Sequence, residues 1–205
     1  MSDERPWWHR HPNGGGWVQN TAHVDPTAYV GRFAQVRDSA RVRGSARVSG
    51  SARVSDSAWV SDSAWVSGSA RVSDSAQVSD SAQVSGSARV SGSARVSGSA
   101  WVSDSARVSG SALIWHPRHV LTVGPVGSEH RTITAFRTHD GHMVVAGCWS
   151  GTVEELAERV ADPAVAWPDA DPADRLRWQR DYEAVVALVR VRVAEWSAER
   201  EEAVA

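Results

Sequence analysis

The sequence predicts a mainly β fold, in which a triangular parallel β-helix built from coils of three hexapeptides precedes a small α+β module. Three observations support this prediction. Valine recurs at every sixth residue from Val18 to Val108, alanine follows each valine four positions later, and the composition changes after residue 119. Residues 18–119 therefore form a repeat, and residues 120–205 form a different kind of structure.

The repeat unit is close to V-S-[GD]-S-A-[RWQ] from Val48 onward. A strict period of six does not fit an α-helix, because 3.6 residues per turn would spread valine and alanine around the whole circumference. A flat sheet is disfavoured, since serine and glycine fill most other positions and leave one face with too little apolar area. Six residues fit one short strand and one turn, and three such units close a triangular coil.

Valine and alanine are expected to point into each coil, with valine at the corner and small alanine allowing the walls to approach. From Val36 to Val108, the residue two positions after each valine is glycine or aspartate, and it is expected at the turn. A positive φ is easily adopted there by glycine and is tolerated by aspartate. Residues 18–119 would then stack into a prism roughly 27 Å long, at about 4.8 Å per coil.

This pattern resembles the hexapeptide-repeat, left-handed β-helix family, also called trimeric LpxA-like. The motif of that family is an aliphatic residue followed four positions later by a small one, and the resemblance covers residues 18–119. It implies a left-handed coil and a homotrimer. It also brings two enzyme classes into consideration, because the family includes acyltransferases and zinc carbonic anhydrases.

Charge divides the chain at the same place. Residues 18–119 carry eleven arginines and seven aspartates, residues 120–205 carry nine arginines and fifteen acidic residues, and the whole chain has a net charge of -2. Such an asymmetry is typical of two structural units. We therefore expect an N-terminal cap over residues 1–17, a solenoid over 18–119 and a C-terminal module over 120–205. The first end of the solenoid is expected to be covered by Trp7, Trp8 and Trp17.

The C-terminal module is expected to combine a β-meander with two helices. Strands are predicted at residues 120–126, 131–137 and 142–146, and a capping box at Thr152 opens a helix to about Val160. A Pro/Asp/Ala loop then leads to a second helix from about Pro172 to Glu202. Its predicted apolar stripe consists of Leu176, Tyr182, Val185, Val186, Val189 and Val193.

Residues 120–160 resemble the module that follows hexapeptide repeats in uncharacterised phage and prophage proteins. The resemblance rests on segments such as 121–128, 134–138 and 147–152. It implies a phage or prophage origin and supplies no activity.

Stacking every eighteenth residue places arginine on one face of the solenoid in four consecutive coils, at Arg53, Arg71, Arg89 and Arg107. A column of like charge is unfavourable unless an anion or an acidic partner lies against it. Three interpretations remain open. In the first, the arginines are solvated and Asp56 and Asp74 reduce the repulsion between them. In the second, they line a groove for a polyanion or an acidic protein. In the third, they lie at a homotrimer interface.

The other two faces present large apolar side chains among serines, at Trp59, Trp65 and Trp101. Exposed tryptophans of this kind are typical of interfaces, so we expect them to pack against another subunit. Stacking also places His119 at the end of the face that carries Trp65 and Trp101.

Catalytic candidates are few. The family's acyltransferases use a protruding histidine as general base, and its anhydrases need three histidines around zinc, yet no histidine lies between His23 and His116. The weak catalytic candidates are His116, His119 and Cys148. Cys148 is expected to be structural, because residues 144–147 before it are apolar. No metal site and no cofactor is expected.

The single cysteine excludes an intrachain disulfide and is typical of a reducing compartment. No segment approaches the ~18 apolar residues of a spanning helix, and residues 1–16 lack the apolar region of a signal peptide. A cytoplasmic location without a membrane is therefore expected, and nucleic acid is an unlikely partner because the basic patch is small. The sequence predicts a non-enzymatic, self-associating scaffold or binding protein. The alternative is a hexapeptide-fold acyltransferase with its active site between subunits.

Overall fold

The computed structural model describes residues 6–202, with side chains described as far as residue 200. The chain divides into two compact units, Met1–Pro117 and Arg118–Ala205. We call them the solenoid unit and the C-terminal unit and describe each by itself.

Short strands of the solenoid unit form three sheets, each of which is one face. The arginine face contains β1 (Trp8–Arg10), β2 (Trp17–Gln19), β5 (Gln35–Val36), β8 (Arg53–Val54), β11 (Arg71–Val72), β14 (Arg89–Val90) and β17 (Arg107–Val108). The aromatic face contains β4 (Tyr29–Val30), β7 (Arg47–Val48), β10 (Trp65–Val66), β13 (Gln83–Val84) and β16 (Trp101–Val102). The mixed face contains β3 (His23–Val24), β6 (Arg41–Val42), β9 (Trp59–Val60), β12 (Gln77–Val78), β15 (Arg95–Val96) and β18 (Leu113–Ile114).

From β2 to β15, each strand pairs in parallel with the equivalent strand of the next coil. Val54 lies opposite Val72, and Val72 lies opposite Val90, so equivalent residues of successive coils stack on one another. The same register holds on the other two faces. The predicted parallel β-solenoid with three hexapeptides per coil is therefore confirmed, while its left-handed sense stays a prediction from the family resemblance.

The core of the solenoid consists of the repeated valines and alanines. From Ala28 to Ile114, these inward side chains are at most 1% exposed. In the first coil Ala22 and Val24 are half-buried. The inward assignment made from the period of six is confirmed.

The turns follow the predicted chemistry. The residue two positions after each valine has a positive φ from Asp38 to Gly110, for example 59° at Asp56 and 65° at Gly86. At Gly86 the absence of a side chain is also a spatial requirement, because a Cβ there would lie 2.8 Å from the backbone nitrogen of Asp104. Glycine at this turn thus permits both the backbone conformation and the close stacking of coils.

The N-terminal end is closed by backbone pairing. Strand β1 runs antiparallel to β2 and covers the edge of the arginine face. The loop between them covers the edge of the aromatic face, since the Gly16 amide donates to the Val30 carbonyl (2.8 Å) and the Val30 amide donates to the Asn13 carbonyl (3.0 Å). Trp17 is buried, but Trp7 is 71% exposed, so the prediction that Trp7 covers this end is wrong. Unpaired strand edges need hydrogen-bond partners, which an indole ring supplies poorly.

The C-terminal unit combines an antiparallel sheet with helices. After a 3-10 turn at Pro117–His119, the sheet has the strand order β19 (Val120–Val126), β20 (Arg131–Thr138), β21 (Gly141–Ala146) and β22 (Trp149–Gly151). The helices are α1 (Val153–Val160), α2 (Pro163–Ala166) and α3 (Pro172–Glu202). Helix α2 interrupts the predicted loop, because Pro163 suits a first helical position and the Asp162 carboxylate caps the Ala164 amide at 2.9 Å.

Helix α3 packs its buried side chains in one core with α1 and the sheet. The buried members on α3 are Val185, Val186, Val189 and Trp196, with Tyr182 and Val193 partly buried beside them. Leu176 is exposed, so its predicted place in the stripe is wrong. It lies six residues before Tyr182, a spacing that puts it on a different side of the helix.

A half-buried histidine binds the start of α1. The Thr152 hydroxyl accepts from the Glu155 amide (3.2 Å), and the Glu155 carboxylate accepts from the Thr152 amide (2.7 Å), which confirms the capping box. The next amide, that of Val153, donates to Nε2 of His142 at 2.9 Å. Only a neutral imidazole can accept this bond. Burial lowers the pKa of His142, and the Glu154 carboxylate opposes that shift.

We therefore expect His142 to destabilise the folded chain at acidic pH. Because its pKa is lower in the folded state, its contribution is fully present above the unfolded pKa of about 6.5 and is lost as the pH falls below that value. The free energy of unfolding should drop between pH 7.5 and pH 5, and by less in His142→Gln. An equal drop in both proteins, measured by denaturant titration, would contradict this assignment.

Candidate binding faces of the solenoid

The arginine ladder is the column formed by Arg53, Arg71, Arg89 and Arg107. These residues stand directly opposite one another in consecutive strands of the arginine face, as predicted. The first three are exposed and Arg107 is half-buried. At about 4.8 Å per step, the ladder places four guanidinium groups along about 14 Å of the surface.

The neighbouring aspartates Asp56 and Asp74 hydrogen-bond groups of the solenoid turns. The Asp56 carboxylate accepts from the Ser55 hydroxyl (2.8 Å) and lies 3.4 Å from the Asp74 amide nitrogen, and the Asp74 carboxylate accepts from the Gly92 amide (2.9 Å). In the described part of the chain, neither Arg53 nor Arg71 forms an ion pair with them, so any relief of the ladder by these carboxylates acts without direct contact. At these turns of positive φ, the short aspartate side chain faces the backbone amide of the equivalent turn in the next coil.

A fifth arginine extends the same face at its N-terminal end. Arg10 of β1 stands opposite Trp17 of β2, and its guanidinium lies 3.7 Å from the centroid of the Trp17 ring. The guanidinium also donates to the carbonyls of Gly15 (2.8 Å) and Arg32 (3.1 Å). Arg10 was not found from the sequence, because β1 lies outside the repeat and its antiparallel pairing has no periodic signal.

The tryptophans lie on two different faces. Trp65 and Trp101 lie on the aromatic face two coils apart, and Trp59 lies on the mixed face. The Trp59 ring has the Arg43 guanidinium 5.2 Å from its centroid. All three side chains are exposed, with Trp101 at 56% the most open.

The aromatic face carries a groove of about 620 Å³ at its N-terminal end. Its walls include Tyr29, Arg47 and Trp65, which are aligned in three successive coils. Its remaining lining is polar, from Asn13, Thr27, Ser45 and Ser49. Stacking of every third hexapeptide predicts Tyr29 in line with Arg47 and Trp65. Asn13 comes from the loop between β1 and β2, and no pattern in the sequence predicts its place in the groove.

The catalytic candidates have different surroundings. His119 lies outside the sheet of the aromatic face and is 1% exposed, with Nε2 2.8 Å from a Glu199 carboxylate oxygen, so its predicted outward position is wrong. The repeat ends before it, since Pro117–His119 form a 3-10 turn. His116 is exposed at the end of the solenoid unit.

Cys148 is exposed, so the expectation of a buried structural cysteine is wrong. It lies in the tight turn between β21 and β22, directly after Gly147 with its φ of 65°, and the apolar run before it belongs to β21. It lines a pocket of about 160 Å³ beside Arg131 and Tyr182. That volume is smaller than the roughly 300 Å³ at the lower end for small-molecule sites.

The residues that the structure describes include no candidate metal site and no candidate membrane span. No group of three or more histidine, cysteine, aspartate or glutamate side chains among them is placed to hold a metal ion. Among the same residues, no helix has the length and apolar character needed to cross a membrane.

Comparison with known proteins supports the solenoid. No curated protein and no solved structure matches the chain significantly. The sequence profile of the YdcK beta solenoid repeat matches residues 46–62, 82–98 and 88–104, all of them inside the stacked coils. The chain is a β-solenoid repeat protein with stretches similar to the YdcK beta solenoid repeat.

Proposed function

We propose that this protein is a non-enzymatic binding scaffold whose arginine ladder engages a negatively charged partner surface. The observation that carries the proposal is the alignment of four arginines in consecutive coils. The fold does not require arginine there, because tryptophan and glutamine occupy equivalent positions on the other faces. Among the described residues, Arg53 and Arg71 form no ion pair with Asp56 or Asp74, so their guanidinium groups can pair with an acidic protein or a polyanion.

The test is the binding of poly-L-glutamate to the full-length protein at low salt. Replacing the four ladder arginines with glutamine should weaken binding at least about tenfold, because charge complementarity between exposed groups is strong at low ionic strength. The matched control removes four exposed arginines outside the ladder, at Arg32, Arg41, Arg43 and Arg95. It should retain most of the affinity, and equal losses in the two variants would contradict a specific ladder site.

Self-association into a homotrimer is part of the same proposal. Helix α3 leaves Leu188 (44%) and Val191 (62%) exposed three residues apart, which places them side by side on its surface. A second chain that packs on this pair would remove its apolar surface from water.

We expect light scattering at micromolar concentration to give three times the chain mass of 22.1 kDa. Combining Leu188→Glu with Val191→Glu should shift the protein toward the monomer, because two carboxylates would be buried without partners. Val165→Glu, an exposed change on α2, is the control. A monomeric wild-type protein would contradict the trimer.

The acyltransferase alternative has less support. His119 is enclosed and engaged by Glu199, and the pocket at Cys148 is small. Absence of acyl-CoA binding by the wild-type protein would remove this alternative. We further propose a cytoplasmic location, on the ground of the single exposed cysteine, and a phage or prophage origin, on the ground of the resemblance over residues 120–160.

A further inference from the structure

The aromatic face carries a second regular column, independent of the arginine ladder. Tyr29, Trp65 and Trp101 occupy every second coil, and Arg47 and Gln83 occupy the coils between them. At about 4.8 Å per coil, successive aromatic rings are about 10 Å apart along the axis. We call these three rings the aromatic column.

The two indoles of the column are held in the same way. Trp65 Nε1 donates to the hydroxyl of Ser49 (3.1 Å), and Trp101 Nε1 donates to the hydroxyl of Ser85 (3.3 Å), in each case the serine 16 residues earlier. The polar edge of each indole is thus satisfied by the protein while the ring stays exposed. Rings that are fixed before binding lose little conformational entropy when a ligand stacks on them.

Tyr29 is also fixed in place. A Cβ at Gly14 would lie 2.8 Å from Cε2 of Tyr29, and one at Gly31 would lie 3.4 Å from Cε1. The ring therefore rests between two glycines, one of them in the cap loop. The column begins against that loop, where Asn13 closes the end of the groove.

We propose that the aromatic column binds a linear β-linked glycan in which a uronic acid alternates with a neutral sugar. In an extended β-linked pyranose chain, alternate rings present the same side at a spacing close to that of the column, so every second sugar would stack on an aromatic ring. The intervening sugar lies over Arg47, whose planar guanidinium matches a carboxylate. The Thr27 hydroxyl donates to the Gly44 carbonyl (2.7 Å) and can accept from a sugar hydroxyl. The Asn13 side-chain amide, which donates one proton to the Thr27 carbonyl (3.3 Å), and the Ser45 hydroxyl can also bond sugar hydroxyls.

A protein partner fits this face less well. The centre of a protein interface is closely packed with apolar groups and depleted of serine, although tyrosine, tryptophan and arginine are enriched there. Here one coil without an aromatic residue separates each ring from the next, and the surface around the rings is mainly serine. Regular spacing along one axis suits a polymer with a regular repeat.

The experiment measures binding of a hyaluronan hexasaccharide by calorimetry, with the neutral cellohexaose as comparison. The parent for this experiment is the full chain with the four ladder Arg→Gln changes, so the ladder cannot capture an anionic sugar. The result therefore does not depend on whether the ladder binds an acidic partner. Trp65→Ala and Trp101→Ala should each weaken hyaluronan binding at least tenfold. Arg47→Gln should abolish the preference for hyaluronan over cellohexaose. Trp59→Ala, on the mixed face, is the matched control and should bind within twofold of its parent.

Three results would overturn the proposal. The first is no binding of hyaluronan at millimolar concentration by the folded parent, and the second is equal affinity of the Trp65→Ala and Trp59→Ala variants. The third is a change of oligomeric state in Trp65→Ala without any loss of glycan binding, which would make this face a contact between copies. Trp101→Ala provides an independent measurement if Trp65→Ala fails to fold.

Discussion

Replacing Ala70 with leucine is expected to lower the free energy of unfolding by at least the ~1–3 kcal/mol typical of an overpacked core. Ala70 is fully buried, and Ala88 of the next coil is fully buried as well. A leucine has no space to expand into, because the coils above and below are fixed by backbone pairing. Chemical denaturation of the full chain measures this loss.

Ser69→Ala is the control for this change. Ser69 is exposed and precedes Ala70 directly, so its replacement should alter the stability by less than about 0.5 kcal/mol. Ala88→Leu should reproduce the effect of Ala70→Leu one coil further on. Equal losses for Ser69→Ala and Ala70→Leu would contradict the inward direction of the alanines.

Replacing Trp196 with alanine should destabilise the C-terminal unit by about 3–5 kcal/mol, the range for deletion of a buried aromatic side chain. The indole is 3% exposed in the core of that unit, and its Nε1 donates to the Arg118 carbonyl at 2.8 Å. The variant therefore leaves a cavity and removes the hydrogen bond to the Arg118 carbonyl. Hydrogen exchange in β20 and β21 reports the loss in this unit specifically.

Leu176→Ala is the comparison on the same helix. Its side chain is 51% exposed, so faster exchange in β20 and β21 is not expected. If exchange in these strands is as slow in Trp196→Ala as in Leu176→Ala, the packing of α3 on the sheet would be contradicted.

The sequence alone predicts the solenoid, because the same six-residue pattern occurs three times in each coil. A period of six with valine and alanine in phase determines which residues point inward, and stacking of every third hexapeptide then aligns the arginine ladder and the aromatic column. Local rules also located the capping box at Thr152 and the positive φ of the turns.

The remaining features depend on contacts between residues far apart in sequence or on breaks in the repeat. Stacking predicts His119 on the aromatic face, but Pro117–His119 form a 3-10 turn outside the repeat, and its partner Glu199 is 80 residues away. The apolar residues before Cys148 predict a buried thiol, but the turn at Gly147 exposes it. Arg10 joins the arginine face only through the antiparallel pairing of β1 with β2.

The most direct test of the scaffold proposal is the salt dependence of poly-L-glutamate binding. For single-stranded nucleic acids, the slope of log Kd against log salt concentration is roughly 0.7 units per charge contact, and the same release of counterions applies to poly-L-glutamate. Relative to the wild-type protein, the ladder variant should lose roughly two to three units of slope, whereas the control lacking Arg32, Arg41, Arg43 and Arg95 should lose less than about one. The same slope in both variants would show that the ladder is an ordinary solvated face and would contradict the proposal.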